Sequence, residues 1–584
     1  MMVATDLWSP TDGGALLAAA VLLPFVGMLL GLLLGGRWLQ RVTFVCMPLG
    51  LALVVAIAVA WLGAEGPLVY LLGGWSPPLG IALRADGLGV AMMLAVAGVV
   101  CGIGLFACAD FGLKPGEPES RGAFAYWLLL LAVWGALNLV FVSGDLFTLY
   151  VALELLTFAG VPLVCLAGSG ETLRAALRYM LFALCGSVLY LLGAVLLYGG
   201  YGTLDMPLLA EVVQPEPIAM AALALMTAGL LAKTALFPLH IWLPPAHGGA
   251  PAAASAVLSA LVVKGSWFLV VRLWFDVMPG VVTLSAAQIL GALGAAAIVV
   301  GSIVALRQER LKLLVAYSTM AQIGYLFLMF PLAFDSSGSG PTHGFALTGG
   351  LLQAMSHATA KAGMFMAAGL VYAALGHDRI ADLAGAARAM PVTALAFALA
   401  GLALMGVVPS GAYLAKKLML DAADGSGQWW WVVVLQGGAV FTASYVVLVL
   451  VSVLRRRAEP LPLTKPVSRL SEFAALTLSV CSLLLALAAL GPVPGSFISN
   501  PLAPKELGTL LAVVLGGALL AFALSRRPLF ATEWAGDGTL RRVVARVGGA
   551  FERSDGIIRR WQFASINLLV LVLLLGGALV AAGG

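Results

Sequence analysis

Six ionisable side chains stand in stretches built otherwise almost wholly of Leu, Ala, Val, Gly and Phe. Glu154 lies in GDLFTLYVALELLTFAGVPL, Lys233 in LMTAGLLAKTALFPLHIWLPPAHGG, Lys264 in SAVLSALVVKGSWFLVVRLW and Lys416 in GVVPSGAYLAKKLML. His357 and Lys361 lie four residues apart in QAMSHATAKAGMF, which places them on one face of a helix. A charge at the centre of a bilayer costs ~2.5–3.5 kcal/mol on insertion scales, so each asks for a reason. The chemistry available to this set is proton transfer. A lysine withdrawn from water has its charged form penalised and can release and regain a proton. A carboxylate nearby opposes that penalty, so a change in the Glu154–Lys233 separation would switch the lysine. Histidine exchanges protons near neutrality without help. Isolated charges make a barrier, whereas a row of them bridged by water makes a path. Plainer roles stand beside this one: a static Glu154–Lys233 pair between two helices, and a His357 that only hydrogen-bonds a carbonyl. Lys417, on another face from Lys416, reads as an interfacial side chain reaching for the headgroups. Trp127 and Tyr201 read as interface anchors.

The elements that carry these residues are membrane helices. Of the 584 residues, 62% are hydrophobic and 10% charged, with mean hydropathy +1.04, where a soluble domain has about a quarter of its residues charged. About 20 apolar residues cross a ~30 Å hydrocarbon core, and about 16 such segments are expected. They begin near residues 15, 42, 86, 124, 145, 172, 217, 252, 284, 312, 345, 390, 430, 470, 507 and 563. The first thirteen residues are acidic rather than basic, so the first apolar run reads as a retained helix rather than a signal peptide. The six cysteines stand singly, which points to neither a disulfide framework nor a metal or iron–sulfur site.

Alternate connections gather the basic residues. Arg37, Arg41, Lys114, Arg121, Arg174, Arg178, Arg307, Arg310, Lys312, Arg379, Arg388, Arg455 to Arg457, Lys465, Arg469 and eight arginines between Arg526 and Arg560 fall on one side. Only Arg84, Arg272 and Lys505 fall on the other. Of 32 basic residues that is 24 against 3, with the remainder inside spans. The rich side is expected to be cytoplasmic and both termini outside the cytoplasm. The segment 539–561 (TLRRVVARVGGAFERSDGIIRRW) mixes arginines with Val, Ile and Phe. It reads either as an amphipathic stretch on the membrane surface or against a neighbouring subunit, or as a solvated basic loop.

Two spans contain helix breakers at depth. Pro238 follows Lys233 by about a turn, with Pro244 and Pro245 beyond; Pro409, Ser410 and Gly411 precede Lys416. Proline removes a donor and frees a carbonyl one turn earlier, and such backbone is tolerated in a membrane only against protein or a wet cavity. The seventh and twelfth spans lie five apart, and an odd unit reverses direction when repeated. Residues 124–276 (spans 4–8) and 284–457 (spans 9–13) are therefore expected to be inverted repeats. Residues 1–123 supply three preceding helices and 458–584 the C-terminal ones.

These motifs resemble those of the antiporter-like family: the large membrane subunits shared by respiratory complex I, membrane-bound hydrogenases and Mrp-type cation/proton antiporters. The resemblance covers roughly residues 70–420. It rests on GGWSPPLGIALRADGL (73–88), GDLFTLYVALELL (144–156), AKTALFPLHIWLPPAHGGAPAAASAVLSALVVKG (232–265), LKLLVAYSTMAQIGY (311–325), SHATAKAGMF (356–365) and PSGAYLAK (409–416). It implies a 14-helix core with two inverted five-helix repeats, and a proton path from Glu154 and Lys233 through Lys264, His357 and Lys361 to Lys416. The GGW-PP opening and the serine-rich start of the eighth span resemble the Mrp D-type subunit most, and lysine rather than glutamate at 416 points to that branch or its complex I relative. Arg178 stands where the family often has lysine, and Ala412–Tyr413 where Gly–Phe is more usual. Arg178 and His240 are accessory candidates.

The function expected is proton translocation, or Na⁺/H⁺ exchange, by one subunit of a larger complex in a bacterial inner membrane. Its partners are other membrane subunits, protons or Na⁺, and lipid. The alternatives are the pump arm of a complex I-like or hydrogenase-type redox complex, a structural subunit, and a self-contained solute transporter. No cofactor or resident metal is expected, since the sequence has no nucleotide loop or iron–sulfur pattern.

Overall fold

The computed structural model describes residues 8–35, 37–112, 120–335, 340–490 and 503–525. In chain order the helices are α1 (Ala15–Leu34), α2 (Trp38–Leu62), α3 (Gly87–Phe111), α4 (Arg121–Val142), α5 (Leu146–Cys165), α6 (Gly170–Tyr201), a short α7 (Met206–Val212), α8 (Pro217–Thr234), α9 (Leu243–Gly249) and α10 (Ala252–Val257). They continue with α11 (Val263–Val271), α12 (Leu284–Leu306), α13 (Leu311–Leu332), α14 (Phe345–Leu375), a short α15 (Ala386–Ala389), α16 (Pro391–Met405), α17 (Gly411–Gly425), α18 (Trp429–Leu454), α19 (Arg469–Leu484) and α20 (Pro504–Ser525). Among the described residues, 14 stretches are long and apolar enough to cross a bilayer, with 217–249 and 252–277 each counting as one. Helix α16 is a shorter apolar helix of 15 residues, and α17 follows it after a break. The chain is thus a mostly helical multi-pass membrane protein whose described spans are all helices, as hydrocarbon demands of a backbone that must satisfy its own polar groups. The sixteenth expected span and the basic segment 539–561 lie outside the described residues.

Polar side chains punctuate the spans where the sequence placed boundaries. Asp86, Ser120, Asp145, Ser169, Thr283, Ser410 and Ser468 each accept a hydrogen bond from the backbone N–H three residues on, satisfying one of the donors a helix start leaves free. Burial is graded inward. Every residue in the apolar window of 252–277 is buried, against a third in α1 and α2. The stretches carrying Lys233, Lys264, His357 and Lys361 are therefore the core, and the first two helices are a flank.

The structure departs from expectation at three points. Trp127 is fully buried, not an interface anchor: it lies two turns inside α4, and its indole N–H donates to the Phe111 carbonyl at 2.9 Å. Tyr201 does sit near the surface, donating to Gln214 and Glu216. Lys312, counted above as a flanking charge, is buried at the start of α13 with its amine on the Ala250 carbonyl. A hairpin absent from the helical reading joins α2 to α3. Its strands β1 (Leu68–Leu71) and β2 (Ala82–Ala85) pair antiparallel, Leu68 opposite Ala85, and Gly73 and Gly74 make its turn at φ 69° and 77°.

The hairpin delivers Asp86 to one end of the bundle. There its carboxylate grips Arg272 with two bonds of 2.5 and 2.6 Å, and Arg272 also pairs with Asp276 at 2.7 Å. A bidentate pair fixes direction as well as distance, so α3 and the end of the 252–277 span are locked together. Arg310 with Asp378, and the Gly385 N–H with the Arg455 carbonyl, tie together segments from the basic-rich side. Burial pushes the Asp86 carboxyl up, but the Arg272 guanidinium, its hydrogen bonds and the Gly89 N–H outweigh that and hold it at about 2. A carboxyl lower in the folded than the unfolded state stabilises fully above its unfolded value, ~3.9, and loses that contribution as pH falls through its folded one. The melting temperature of the solubilised protein should drop between about pH 4 and pH 2. Asp86→Asn should melt lower at neutral pH and show a shallower acid limb; an identical acid limb would contradict this assignment.

Candidate functional site

Helix α8 ends one residue beyond Lys233, at Thr234, in a left-handed cap. The N–H of Ala235 bonds the Ala232 carbonyl and that of Leu236 bonds Leu231, the paired bonding of a Schellman motif. Ala235 adopts φ 60°, a conformation that favours glycine and costs an alanine about 1–2 kcal/mol. The Trp242 indole N–H then reaches back to the Ala232 carbonyl at 3.0 Å. Helix α16 stops in the same way. Gly406, at φ 76°, bonds Ala403, and Val407 bonds Leu402. Ser410 then caps α17 through the Tyr413 N–H at 3.1 Å. Pro238 and Pro409 stand in the two breaks, each after a cis peptide bond. Gly411 opens α17, and a Cβ there would lie 3.1 Å from that of Ser356 on α14, so the second break rests against the turn that carries His357.

At the first break Lys233 occupies the last turn of α8, where the unpaired carbonyls favour a cation. Its amine donates to Thr157 Oγ1 at 2.8 Å and stands 3.4 Å from Glu154 Oε1 and 3.5 Å from the Leu153 carbonyl, all on α5. Ser187 on α6 donates to Glu154 Oε1. That approach depends on two glycines. A Cβ on Gly186 would lie 2.5 Å from the Gly229 carbonyl oxygen, and one on Gly229 2.3 Å from that of Gly186, so α6 and α8 meet backbone to backbone beside Lys233. Arg178 is on α6, nine residues before Ser187 and hence about 14 Å along the axis, away from this pair. His240 is buried in the break, stacked on Phe237 with ring centroids 5.5 Å apart.

The central group is the tightest. Residues Leu258–Val262 widen into a π turn, a form frequent at functional sites, and the Ser259 carbonyl there accepts from Lys264 Nζ at 2.5 Å. The same amine lies 2.5 Å from His357 Nδ1. Two cations at that separation would repel by about 7 kcal/mol at an effective dielectric constant of 20, so the pair holds one positive charge at most and a proton on one nitrogen faces a lone pair on the other. Lys361, one turn on from His357, donates to Ser318 Oγ and to the Val315 carbonyl at 3.2 Å. Thr234, next to Lys233, bonds Ser266, two residues on from Lys264, at 2.9 Å, which ties the two lysine-bearing stretches side by side.

Sequence reasoning missed several members. His247 is fully buried and stacked on Phe365 at 4.7 Å, with neither ring nitrogen hydrogen-bonded among the described residues; it stood in the quoted LPPAHGG, but nothing in its spacing distinguished it. Gln353, one turn before His357, donates to Gln322 at 3.0 Å, and Gln322 donates to Thr442 at 3.2 Å and Tyr445 at 3.4 Å on α18. This amide bridge points from the centre toward Gln436, two turns earlier on α18, whose Oε1 accepts from Lys416 Nζ at 2.9 Å. Lys417 is not a lone interfacial cation: it pairs with Glu506 of α20 at 2.9 Å and Asp421 at 3.6 Å. Glu154, Lys233, Lys264, His357, Lys361 and Lys416 are thus laid out in three buried or half-buried groups, with hydroxyls, amides and carbonyls between them.

The transmembrane family described as NADH:quinone oxidoreductase/Mrp antiporter matches residues 143–442. The N-type subunit of the NADH-quinone oxidoreductase from Desulforudis audaxviator is 35% identical over 414 residues, 69% of this chain and 80% of that one. The D-type subunit of the Na⁺/H⁺ antiporter from Alkalihalophilus pseudofirmus is 29% identical, over 69% of this chain and 79% of its own. Two solved structures share the fold: a chain of an archaeal membrane-bound sulfane sulfur reductase, with TM-score 0.72 and 24% identity over 87% of this chain and 99% of that one; and one of the Mrp complex from Dietzia sp., with TM-score 0.71 and 21% identity over 88% and 98%.

A hydrogen bond to a charged group is worth about 1.5–3 kcal/mol. Ser187→Ala should therefore slow ion movement roughly tenfold or more in vesicles, with normal yield of folded protein. Gly186→Leu should instead lower the yield, because it parts α6 from α8. Ser187→Ala at wild-type rate would show that the Glu154 carboxylate needs no such positioning.

Proposed function

The chain belongs to the NADH:quinone oxidoreductase/Mrp antiporter transmembrane family, and from that premise we propose that it is a proton-translocating subunit of a multi-subunit membrane complex, working through a lysine relay. The observation that carries this is the central contact, Lys264 Nζ against His357 Nδ1 at 2.5 Å with Lys361 one turn away. Lys233 is the switching site and Glu154 its modulator. When the carboxylate is close, the Lys233 ammonium is favoured; when it withdraws, the ammonium gives its proton toward Lys264 and is left as the neutral amine. Lys264, His357 and Lys361 pass it on, with water bridging the steps that no side chain spans, and Lys416 is the terminal exchange site. His240 and Arg178 are accessory at most. In the antiporter reading, a Na⁺ gradient drives or is driven by this proton movement.

The two breaks support a pair of inverted five-helix repeats, 124–276 and 284–457, each with one lysine at an interrupted helix. The basic-rich side is taken as cytoplasmic in a bacterial inner membrane, with both termini on the far side.

A second reading shares every residue role: the protein is the pump arm of a redox complex, as the name of the Desulforudis relative suggests. Tagging the chain in its native membrane and identifying what co-purifies separates the two. Small antiporter-type subunits without redox proteins favour the first; iron–sulfur, flavin or nickel subunits favour the second. For the relay itself, Lys233→Ala and Lys416→Ala should each cut proton movement at least tenfold in an assembled complex, roughly the 1.4 kcal/mol or more that losing a step implies. Full transport by both would sink the relay, and normal transport with poor assembly would make the protein a structural component.

A further inference from the structure

Helix α20 lies beyond the fourteen-helix core that the family resemblance implies, yet it brings a carboxylate into the opening that the last lysine of the relay lines. Glu506 stands in its first turn. Its Oε1 is 2.9 Å from Lys417 Nζ, and its Oε2 accepts from the Tyr413 hydroxyl at 3.4 Å. Lys416, Gln436, Tyr413, Lys417 and Glu506 line one opening of about 410 Å³ between α17, α18 and α20. The same face of α17 continues outward through acids: Asp421 follows Lys417 by one turn and is paired with it at 3.6 Å, and Asp424 follows by another and is exposed. Exposure rises along this line, from a Glu506 side chain at 15% to Asp421 at 34%. Asp424 closes α17 just before the turn into α18, and α18 runs from there to Arg455, so this end is opposite the basic-rich side.

We propose that Glu506 is the outlet acceptor of the relay: the chain's own α20 supplies the carboxylate that exchanges protons between Lys416 and the medium on the side opposite Arg455. This rests on the relay reading above. In the forward step an N–H bond of the Lys416 ammonium breaks and an O–H bond forms on the carboxylate, by way of water in the opening. The neutral acid then releases its proton to water along Asp421 and Asp424, and Glu506 returns to the carboxylate; Lys416, left as the neutral amine on Gln436 Oε1, is reloaded by a proton passed through water from the central group. Lys417 and Tyr413 orient the carboxylate between turns. Among the described residues, the charged groups lining this opening with Glu506 are Lys416 and Lys417 on α17, Asp421 is paired with Lys417, and the α18 contribution is the uncharged Gln436. A half-buried carboxylate between Lys416 and water gives the ammonium a group to discharge to, which the neutral Gln436 amide cannot be.

The experiment uses the intact complex in sealed vesicles, with transport rates normalised to assembled complex. Glu506→Gln should cut proton movement about tenfold or more, Glu506→Asp should keep at least about half, and millimolar formate in the medium facing α20's N-terminus should restore much of the Glu506→Gln rate, because a small weak acid can carry the proton the missing carboxyl carried. Asp421→Asn, at a more exposed position where assembly is not at stake, should slow transport a few-fold and respond to formate in the same way. Wild-type rates in Glu506→Gln would overturn the proposal. So would equal losses in Glu506→Gln and Glu506→Asp with no response of either Glu506→Gln or Asp421→Asn to formate, which is what a structural brace would give. Lys233→Ala in the same vesicles separates the two claims: inactive Lys233→Ala beside unaffected Glu506→Gln removes only the outlet, whereas fully active Lys233→Ala removes the relay.

Discussion

An amine carried into hydrocarbon must find acceptors within the protein, and the core of this fold is arranged around that demand. Each of the lysines proposed for the relay meets it differently. Lys233 has a hydroxyl, a carbonyl and a carboxylate from α5; Lys264 has a carbonyl exposed by a π turn and an imidazole; Lys361 has a hydroxyl and a carbonyl from α13; Lys416 has an amide. A single strong counter-charge at every site would fix each proton in place. Neutral acceptors instead satisfy hydrogen bonds without locking charge, as the relay proposed above requires.

The two helix breaks follow from the same constraint. Ending α8 and α16 in mid-bundle frees carbonyls that need donors, and both ends solve this with the same cap before proline prevents the helix from resuming at once. At the first break glycine is absent from the left-handed position, and Ala235 occupies it within fully buried surroundings. Such a conformation persists where packing over-determines it, often at functional positions. Close glycine contacts do the corresponding work laterally, at Gly186–Gly229 beside Lys233 and at Gly294–Gly324 between α12 and α13.

Much of this was legible in the sequence for identifiable reasons. A buried charge is improbable without purpose, so Glu154, Lys233, Lys264, His357, Lys361 and Lys416 announced themselves, and apolar runs bounded by Asp, Ser and Thr gave the spans to within a few residues. What escaped was whatever depends on which face of a helix meets which neighbour. Ser187, Gln322 and Gln353 are ordinary polar residues until α6, α13 and α14 are packed. Trp127 resembled an anchor because it lies near a helix end, and only the placement of Phe111 makes it core. Lys417 and Glu506 are 89 residues apart, and no spacing rule couples them. The Asp86–Arg272 clamp depended on a hairpin hidden in a Gly-Pro-rich stretch.

The central claim is that the Lys264–His357–Lys361 group carries protons rather than merely packing the core. Lys361→Met preserves most of the side-chain volume and removes the proton site, so it isolates the chemistry. Proton movement would be followed with a pH-sensitive dye in inside-out vesicles holding the intact complex, with assembly checked by the recovery of its partners. The account predicts normal assembly with transport reduced to a tenth or less, about 1.4 kcal/mol or more in barrier. Wild-type transport from fully assembled Lys361→Met complex would contradict it.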